Sequence, residues 1–120
     1  MRGVLADAAR LCPGTLEALL VDADGVLLEH HGEPGGGLDP EEIGVEVTTA
    51  IPTLARVGAA SRLGGIREWL VVGDRGVLLI RRVPGLRLLV VLRIASGTWV
   101  GRGRFAARVT AGRIAERLSR

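Results

Sequence analysis

The sequence contains no lysine and no tyrosine, a single cysteine, and three aromatic residues in 120. With Cys12 alone, an intramolecular disulfide and a thiolate cluster for zinc or iron–sulfur are both excluded. No apolar run approaches the roughly 20 residues that a membrane-spanning helix needs. The N-terminus lacks the pattern of a secretory signal. We therefore expect a cytoplasmic protein that binds no metal and no cofactor.

Charge is divided unequally along the chain, and all 16 basic residues are arginine. Residues 1–46 carry ten carboxylates and two arginines, a net charge of −8. Residues 47–120 carry fourteen arginines and three carboxylates, a net charge of +11. This segregation indicates either a basic docking face or head-to-tail contact with an acidic surface. The alternative is a solvated fringe of arginines.

Apolar periodicity predicts eight elements in one domain, residues 1–120. In chain order they are a short helix from Val4 to Leu11, strands 15–21 and 26–30, a Gly-rich loop over 31–37, a helix over 39–63, strands 66–72, 77–83 and 86–94, and a final helix from Thr98. Asp39 and Pro40 suit the start of the middle helix, and Pro52 should kink it.

The last predicted strand is apolar on both faces, with Leu88, Val90 and Leu92 on one and Leu89 and Val91 on the other. A sheet with two apolar faces has to be covered on both sides. The predicted fold class is α/β (α+β): an α-β-β-α-β-β-β-α sandwich in which helices cover both faces of a five-stranded antiparallel sheet.

The segment LLVDADGVLL (19–28) resembles the first motif of haloacid-dehalogenase-type phosphatases. In that chemistry Asp22 would be the nucleophile and Asp24 the acid/base, with magnesium neutralising the phosphate. The rest of the pattern is missing. The chain has no lysine for the phosphoryl group, and the acids after residue 46 are unpaired in sequence: Glu68, Asp74 and Glu116. The alternative, a hairpin turn at Asp-Gly, is favoured because an apolar run follows directly.

Two sequence patterns, a calcium loop at Asp22 and the His30-His31 pair, are weak evidence for a metal site. A calcium loop opening at Asp22 would need oxygen ligands where Val26 and Leu28 stand. His30 and His31 are adjacent, so in a strand they face opposite ways and cannot hold one ion together.

Basic and aromatic residues near the C-terminus raise the possibility of nucleic-acid binding: Trp99, Arg102, Arg104, Phe105 and Arg108. Readers of single-stranded RNA depend on aromatic side chains for stacking, and this chain has only three aromatics. The first third is also strongly acidic. A solvated helix face is the favoured interpretation.

Three segments together resemble the roadblock (dynein light-chain) family, and they span nearly the whole chain. They are CPGTLEALLVDADGVLLEH (12–30), GGIREWLVVGDRGVLLIRRV (64–83) and SGTWVGRGRFAARVTAGRIAERL (96–118). The short first helix, Pro52, Gly101 and Gly103 depart from the family pattern. The resemblance implies a profilin-like fold and a homodimer in which the middle helices pair and the third strands join edge to edge.

In this sequence that dimer interface would include helix 39–63 and strand 66–72, with contacts from Ile51, Leu54, Glu68, Trp69, Leu70, Val71 and Val72. An edge strand this apolar is a liability unless it is paired, which agrees with the resemblance.

Family members regulate or scaffold small Ras-like GTPases, and some accelerate GTP hydrolysis without lending a catalytic residue. The resemblance therefore implies a non-enzymatic partner of such a GTPase, with a GTPase-activating or scaffolding role. The outward side of the middle helix is the expected contact, through Glu42, Glu46, Thr49, Thr53 and Arg56, with plain solvent exposure as the alternative. A self-assembly module without a GTPase partner is the second hypothesis. Membrane insertion is not expected.

Overall fold

The computed structural model describes residues 3–32 and 38–119. Its elements are α1 (Val4–Leu11), β1 (Thr15–Asp22), β2 (Leu27–Gly32), α2 (Pro40–Ala60), β3 (Glu68–Gly73), β4 (Gly76–Arg82), β5 (Leu88–Ala95) and α3 (Val100–Leu118). The predicted element order is confirmed. The predicted loop over 31–37 lies, from residue 33 on, outside the described residues. No helix within the described ranges is both long enough and apolar enough to cross a membrane.

The five strands form one antiparallel sheet in the order β2-β1-β5-β4-β3. The fold class predicted from the sequence is therefore confirmed. One cross-strand row runs from Leu19 to Val91, Ile80 and Trp69, so these residues share a face of the sheet. The two edge strands of the sheet are β2 and β3.

The β1–β2 connection is the predicted Asp-Gly hairpin. The Oδ1 of Asp22 accepts hydrogen bonds from the backbone N–H groups of Asp24 (2.9 Å) and Val26 (3.0 Å). Gly25 adopts a φ of 88°, a conformation that L side chains rarely take. A Cβ at this position would also lie 2.9 Å from Thr48 Oγ1, so the turn packs tightly against α2.

One face of the sheet is covered by α1 and α3. Gly103 lies where α3 crosses the sheet, and a Cβ there would overlap the Cδ1 atoms of Ile94 and Leu79. This close approach explains a glycine early in the helix. The buried residues of this layer are Val4, Leu5, Ala8, Cys12, Ala18, Leu20, Leu79, Val83, Val90, Leu92, Ile94, Ala106, Ala107, Ala111 and Ile114.

The other face is covered by α2. Its buried residues are Leu19, Val21, Val47, Trp69, Ile80, Leu89 and Val91, with Ile43, Ile51 and Leu54 packed against them. Asp39 caps the helix by accepting the N–H of Glu41 at 3.0 Å, as predicted. The helix continues through Pro52, which lies on its exposed side.

Most element bounds differ from the prediction by one to three residues, and β2 continues to Gly32 into the predicted loop. Three of the differences have local reasons. The middle helix ends at Ala60 rather than 63 because Arg62 adopts a φ of 55°, outside the helical region. Strand β3 begins at Glu68 rather than 66, since Ile66 packs against Gly58 of α2 instead. Strand β5 begins at Leu88 rather than 86, because Leu86 closes a turn by donating its N–H to the carbonyl of Val83.

Candidate protein-interaction site

Strand β3 presents an unpaired, apolar edge. In the described part of the chain it pairs only with β4, so the backbone groups of its other side have no strand partner. Leu70, Val71 and Val72 are 46%, 53% and 69% exposed. Soluble proteins usually blunt such an edge with charge, proline or cover, and here neither charge nor proline occurs among these three residues. We call this feature the free edge of β3.

The other predicted interface residues have contacts within the chain. Trp69 is 7% exposed and belongs to the core under α2, where Ile51 and Leu54 are half-buried against the same cluster. The Glu68 carboxylate lies 2.7 Å from Arg104 Nε and 3.7 Å from Arg81 Nη1. The structure therefore places the accessible apolar surface of this set at residues 70–72.

The five predicted partner residues lie together on the outer side of α2. Glu42, Glu46, Thr49, Thr53 and Arg56 are all exposed, at spacings of four, three, four and three residues that keep them on one helix face. We call them the outer stripe of α2. Arg56 donates to Thr53 Oγ1 at 3.0 Å. Within the described ranges Glu42 and Glu46 have no ion-pair partner.

Sequence reasoning missed two exposed apolar residues on α2. Val45 is 50% exposed beside Thr49, whose hydroxyl donates to the Val45 carbonyl at 2.7 Å. Val57 is 54% exposed on the flank of the helix next to Leu54. Both fall outside the apolar stripe that faces the core, and an apolar residue out of phase with that stripe is the signal that could have identified them.

The Asp-x-Asp-Gly segment has a structural role. One oxygen of Asp22 accepts two backbone N–H groups of the turn, and β2 runs directly back along β1. No group of three or more His, Cys, Asp or Glu side chains gathers around a common point in residues 3–32 and 38–119. His30 and His31 lie opposite Leu19 and Ala18 of β1, on opposite faces of the sheet.

A buried carboxylate on β1, that of Glu17, was not anticipated from the sequence. It is 5% exposed, with its Oε1 at 3.4 Å from Arg93 Nη2 and its Oε2 at 3.3 Å from His30 Nε2. The two partners come from the strands on either side of β1. Because the partners are separated in sequence by 76 and 13 positions, no local pattern reveals the cluster.

The basic and aromatic residues of α3 are exposed, as the solvated-face interpretation predicts. Trp99 is 77% and Phe105 47% exposed, and the guanidinium of Arg108 lies 5.7 Å from the centre of the Phe105 ring. The Nε of Arg104 donates a hydrogen bond to the carboxylate of Glu68. Neither aromatic residue lies in a strand of the sheet, whose surface RNA-reading domains of this size use.

No protein-family model matches the sequence, and no curated protein matches it. Solved structures do match. The Roadblock/LC7 domain from Streptomyces avermitilis is 13% identical with a TM-score of 0.85, covering 100% of this chain and 98% of that one. The gliding protein MglB from Thermus thermophilus is 19% identical with a TM-score of 0.83, covering 94% and 84%. Profilin IA from Acanthamoeba castellanii is more distant, at 11% identity and a TM-score of 0.56 over 96% and 93%.

Identities this low show the fold alone. The match to the roadblock structures extends over nearly the entire chain. The match to profilin shows that the α+β fold of this chain is also profilin-like. The chain has a roadblock-like fold, similar to that of MglB.

Proposed function

We propose that this chain forms a homodimer that regulates or scaffolds a small Ras-like GTPase, contributing surface contacts and no catalytic residue. The observation that carries the proposal is the fold likeness to MglB over 94% of the chain. The resemblance of the sequence to the roadblock family supplies the GTPase as the class of partner. The free edge of β3 supports the dimer.

Pairing of β3 with its copy about a two-fold axis would satisfy the backbone groups of the free edge. Leu70 and Val72 face the α3 side of the sheet and Val71 faces the α2 side, so pairing would remove apolar surface from water on both faces. Burying such a side chain fully is worth about 1.5–3 kcal/mol. A two-fold contact uses the same patch on both copies and is the commonest form of oligomer.

The outer stripe of α2 would contact the GTPase. It offers two carboxylates, two threonines and an arginine, with the exposed Val45 among them. A partner that bound this surface in only one arrangement of its switch loops would have that arrangement stabilised. No group of this chain needs to enter the nucleotide site of the partner.

Capture of Ras-like proteins from the same genome tests the proposal. Each GTPase is loaded with GTP or GDP and passed over the immobilised chain. We expect capture that depends on the nucleotide, and at least about tenfold weaker capture by Glu46→Arg, which reverses a charge in the outer stripe. Glu41→Arg is the matched control, since Glu41 is also exposed on the same helix but lies outside the stripe.

A self-assembly module without a GTPase partner is the second candidate, because the free edge of β3 is independent of the outer stripe. It predicts a stable dimer together with an absence of nucleotide-dependent capture. Equal losses from Glu46→Arg and Glu41→Arg would contradict the assignment of the outer stripe as the contact.

A further inference from the structure

A groove lined by arginines crosses one end of the sheet, beside the β4–β5 turn. Three adjoining cavities have Arg82 in common. The first, of about 280 Å³, lies against α2 at Thr48 and Pro52. The second surrounds the turn itself, and the third extends along the segment before β3. We call this the arginine groove; its basic residues are Arg67, Arg81, Arg82 and Arg87.

Three of these guanidinium groups lack a counter-charge. In the part of the chain that the structure describes, no carboxylate lies within 4 Å of Arg67, Arg82 or Arg87, and all three are exposed. Only Arg81 is paired, with Glu68 at 3.7 Å. Arg82 is held over the ring of buried Trp69, 5.4 Å from its centre. Stacking orders the guanidinium in advance while its N–H groups stay available for an anion.

The groove also contains features that suit a polypeptide. Apolar side chains share its walls with the arginines: Ile51, Pro52, Ile66, Leu86 and Leu88. Because Pro52 has no N–H, the carbonyl of Thr48 lacks its usual helical donor, and both residues line the first cavity. The Thr48 carbonyl is therefore an acceptor without its i+4 donor, in a residue that lines the groove beside Arg82. A peptide has N–H donors for such an acceptor, whereas the phosphate backbone of DNA has none.

We propose that the arginine groove binds an acidic peptide segment of a partner protein, with carboxylates on Arg67, Arg82 and Arg87 and an apolar side chain against Ile51 and Leu86. Adjoining open cavities fit an extended segment better than a compact ligand. None of the residues lining the groove is aromatic, so base stacking has no platform there. The proposal does not rest on the GTPase hypothesis, because the groove is defined by its own charges.

Titration with a synthetic peptide of repeating Glu-Leu-Glu-Gly tests this inference. The protein carries Trp99→Phe, which removes the exposed tryptophan and leaves Trp69 emission as the reporter beneath Arg82. We expect saturable binding at low salt that changes Trp69 emission. We expect it to weaken about tenfold in Arg67→Gln/Arg87→Gln, which removes two charge-assisted contacts. Arg102→Gln/Arg117→Gln removes the same charge from exposed positions on α3 and should change affinity less than about twofold.

Four results of the binding measurements would overturn the proposal. They are absence of binding at low salt, equal binding of the Gln-Leu-Gln-Gly peptide, equal losses in the groove and control variants, and tighter binding of a short DNA duplex that the groove variant abolishes. Self-association of the wild type, without peptide, that Arg67→Gln/Arg87→Gln eliminates would instead identify a second copy of this chain as the occupant. That outcome would also overturn the assignment to a partner protein.

Discussion

Single side chains hold the elements of this fold together across the rim of the sheet. Glu68 is the clearest example, since its carboxylate is 13% exposed and lies between Arg104 of α3 and Arg81 of β4. It therefore fixes the edge strand to both its neighbour and the covering helix. Its effect on stability should exceed that of an exposed ion pair, because a largely buried group loses more when its partner is removed.

Replacement of Glu68 by Gln should lower the free energy of unfolding by about 1–2 kcal/mol, measured by urea denaturation. Asp7→Asn is the matched control. Asp7 also has two arginine partners, Arg10 at 2.7 Å and Arg113 at 3.9 Å, but its side chain is 42% exposed, so its replacement should cost less than about 0.5 kcal/mol. Equal decreases in the free energy of unfolding for the two variants would show that burial does not strengthen the ion pairs of Glu68.

Two glycines of α3 should respond oppositely to alanine. Gly103→Ala places a methyl group against Ile94 and Leu79 in the core and should destabilise by about 1–2 kcal/mol through overpacking. A Cβ at Gly112 would meet nothing within 4 Å, so Gly112→Ala should stabilise by about 0.5–1 kcal/mol through helix propensity. Thermal unfolding distinguishes the two, and stabilisation by both would contradict the close packing at Gly103.

At the scale of elements, β3 differs from the other strands. The strands β1, β4 and β5 have neighbours on both sides, whereas β3 has one neighbour and an exposed apolar surface. Strand β2 is also at a rim, but His31 is exposed there and Glu29 and His30 add polar groups, so its edge is polar as well as apolar. This difference is why the proposed dimer uses β3.

Val72→Lys should raise the dimer dissociation constant by about a hundredfold, because it places two like charges at the paired edge and removes apolar contact. Sedimentation velocity over a range of concentrations measures the change. Val26→Lys is the control, since Val26 is also exposed and lies at the β1–β2 turn. A wild type that stays monomeric and well folded at micromolar concentration would overturn the dimer itself.

The elements were predictable from the sequence because their signals are local. The continuous apolar run over residues 88–92 indicates a strand with two buried faces, and Asp24-Gly25 marks the hairpin. The inward position of Trp69 was not predictable, because the sequence does not show which side chains of an apolar edge strand the covering helices reach. The arginine groove could not be predicted from the sequence for a different reason. Arg67, Arg82 and Arg87 come from three separate segments that only the folded sheet brings together.

At the scale of the whole molecule, the two proposed contacts differ in physical character. The free edge of β3 is apolar, whereas the arginine groove is defined by charge. Salt screens interactions between exposed charges and leaves apolar burial largely intact or strengthened. The same protein should therefore show two opposite salt responses.

The dimer dissociation constant should change less than about twofold between low and high sodium chloride, while peptide affinity at the groove should fall at least about tenfold. Sedimentation and Trp69 fluorescence on one sample measure the two. A dimer that dissociates on addition of salt would indicate that charge segregation, and not β3, drives association.

The position of β2 at the opposite rim has a consequence for stoichiometry. In the described chain β2 pairs with β1 alone, so its outer backbone groups face no strand. If two copies join through β3, both extremities of the joint sheet become β2, and two-fold symmetry makes these extremities equivalent. An extended ligand that adds to the β2 edge at one end of the assembly would find an identical edge at the other, so one dimer would bind up to two such ligands.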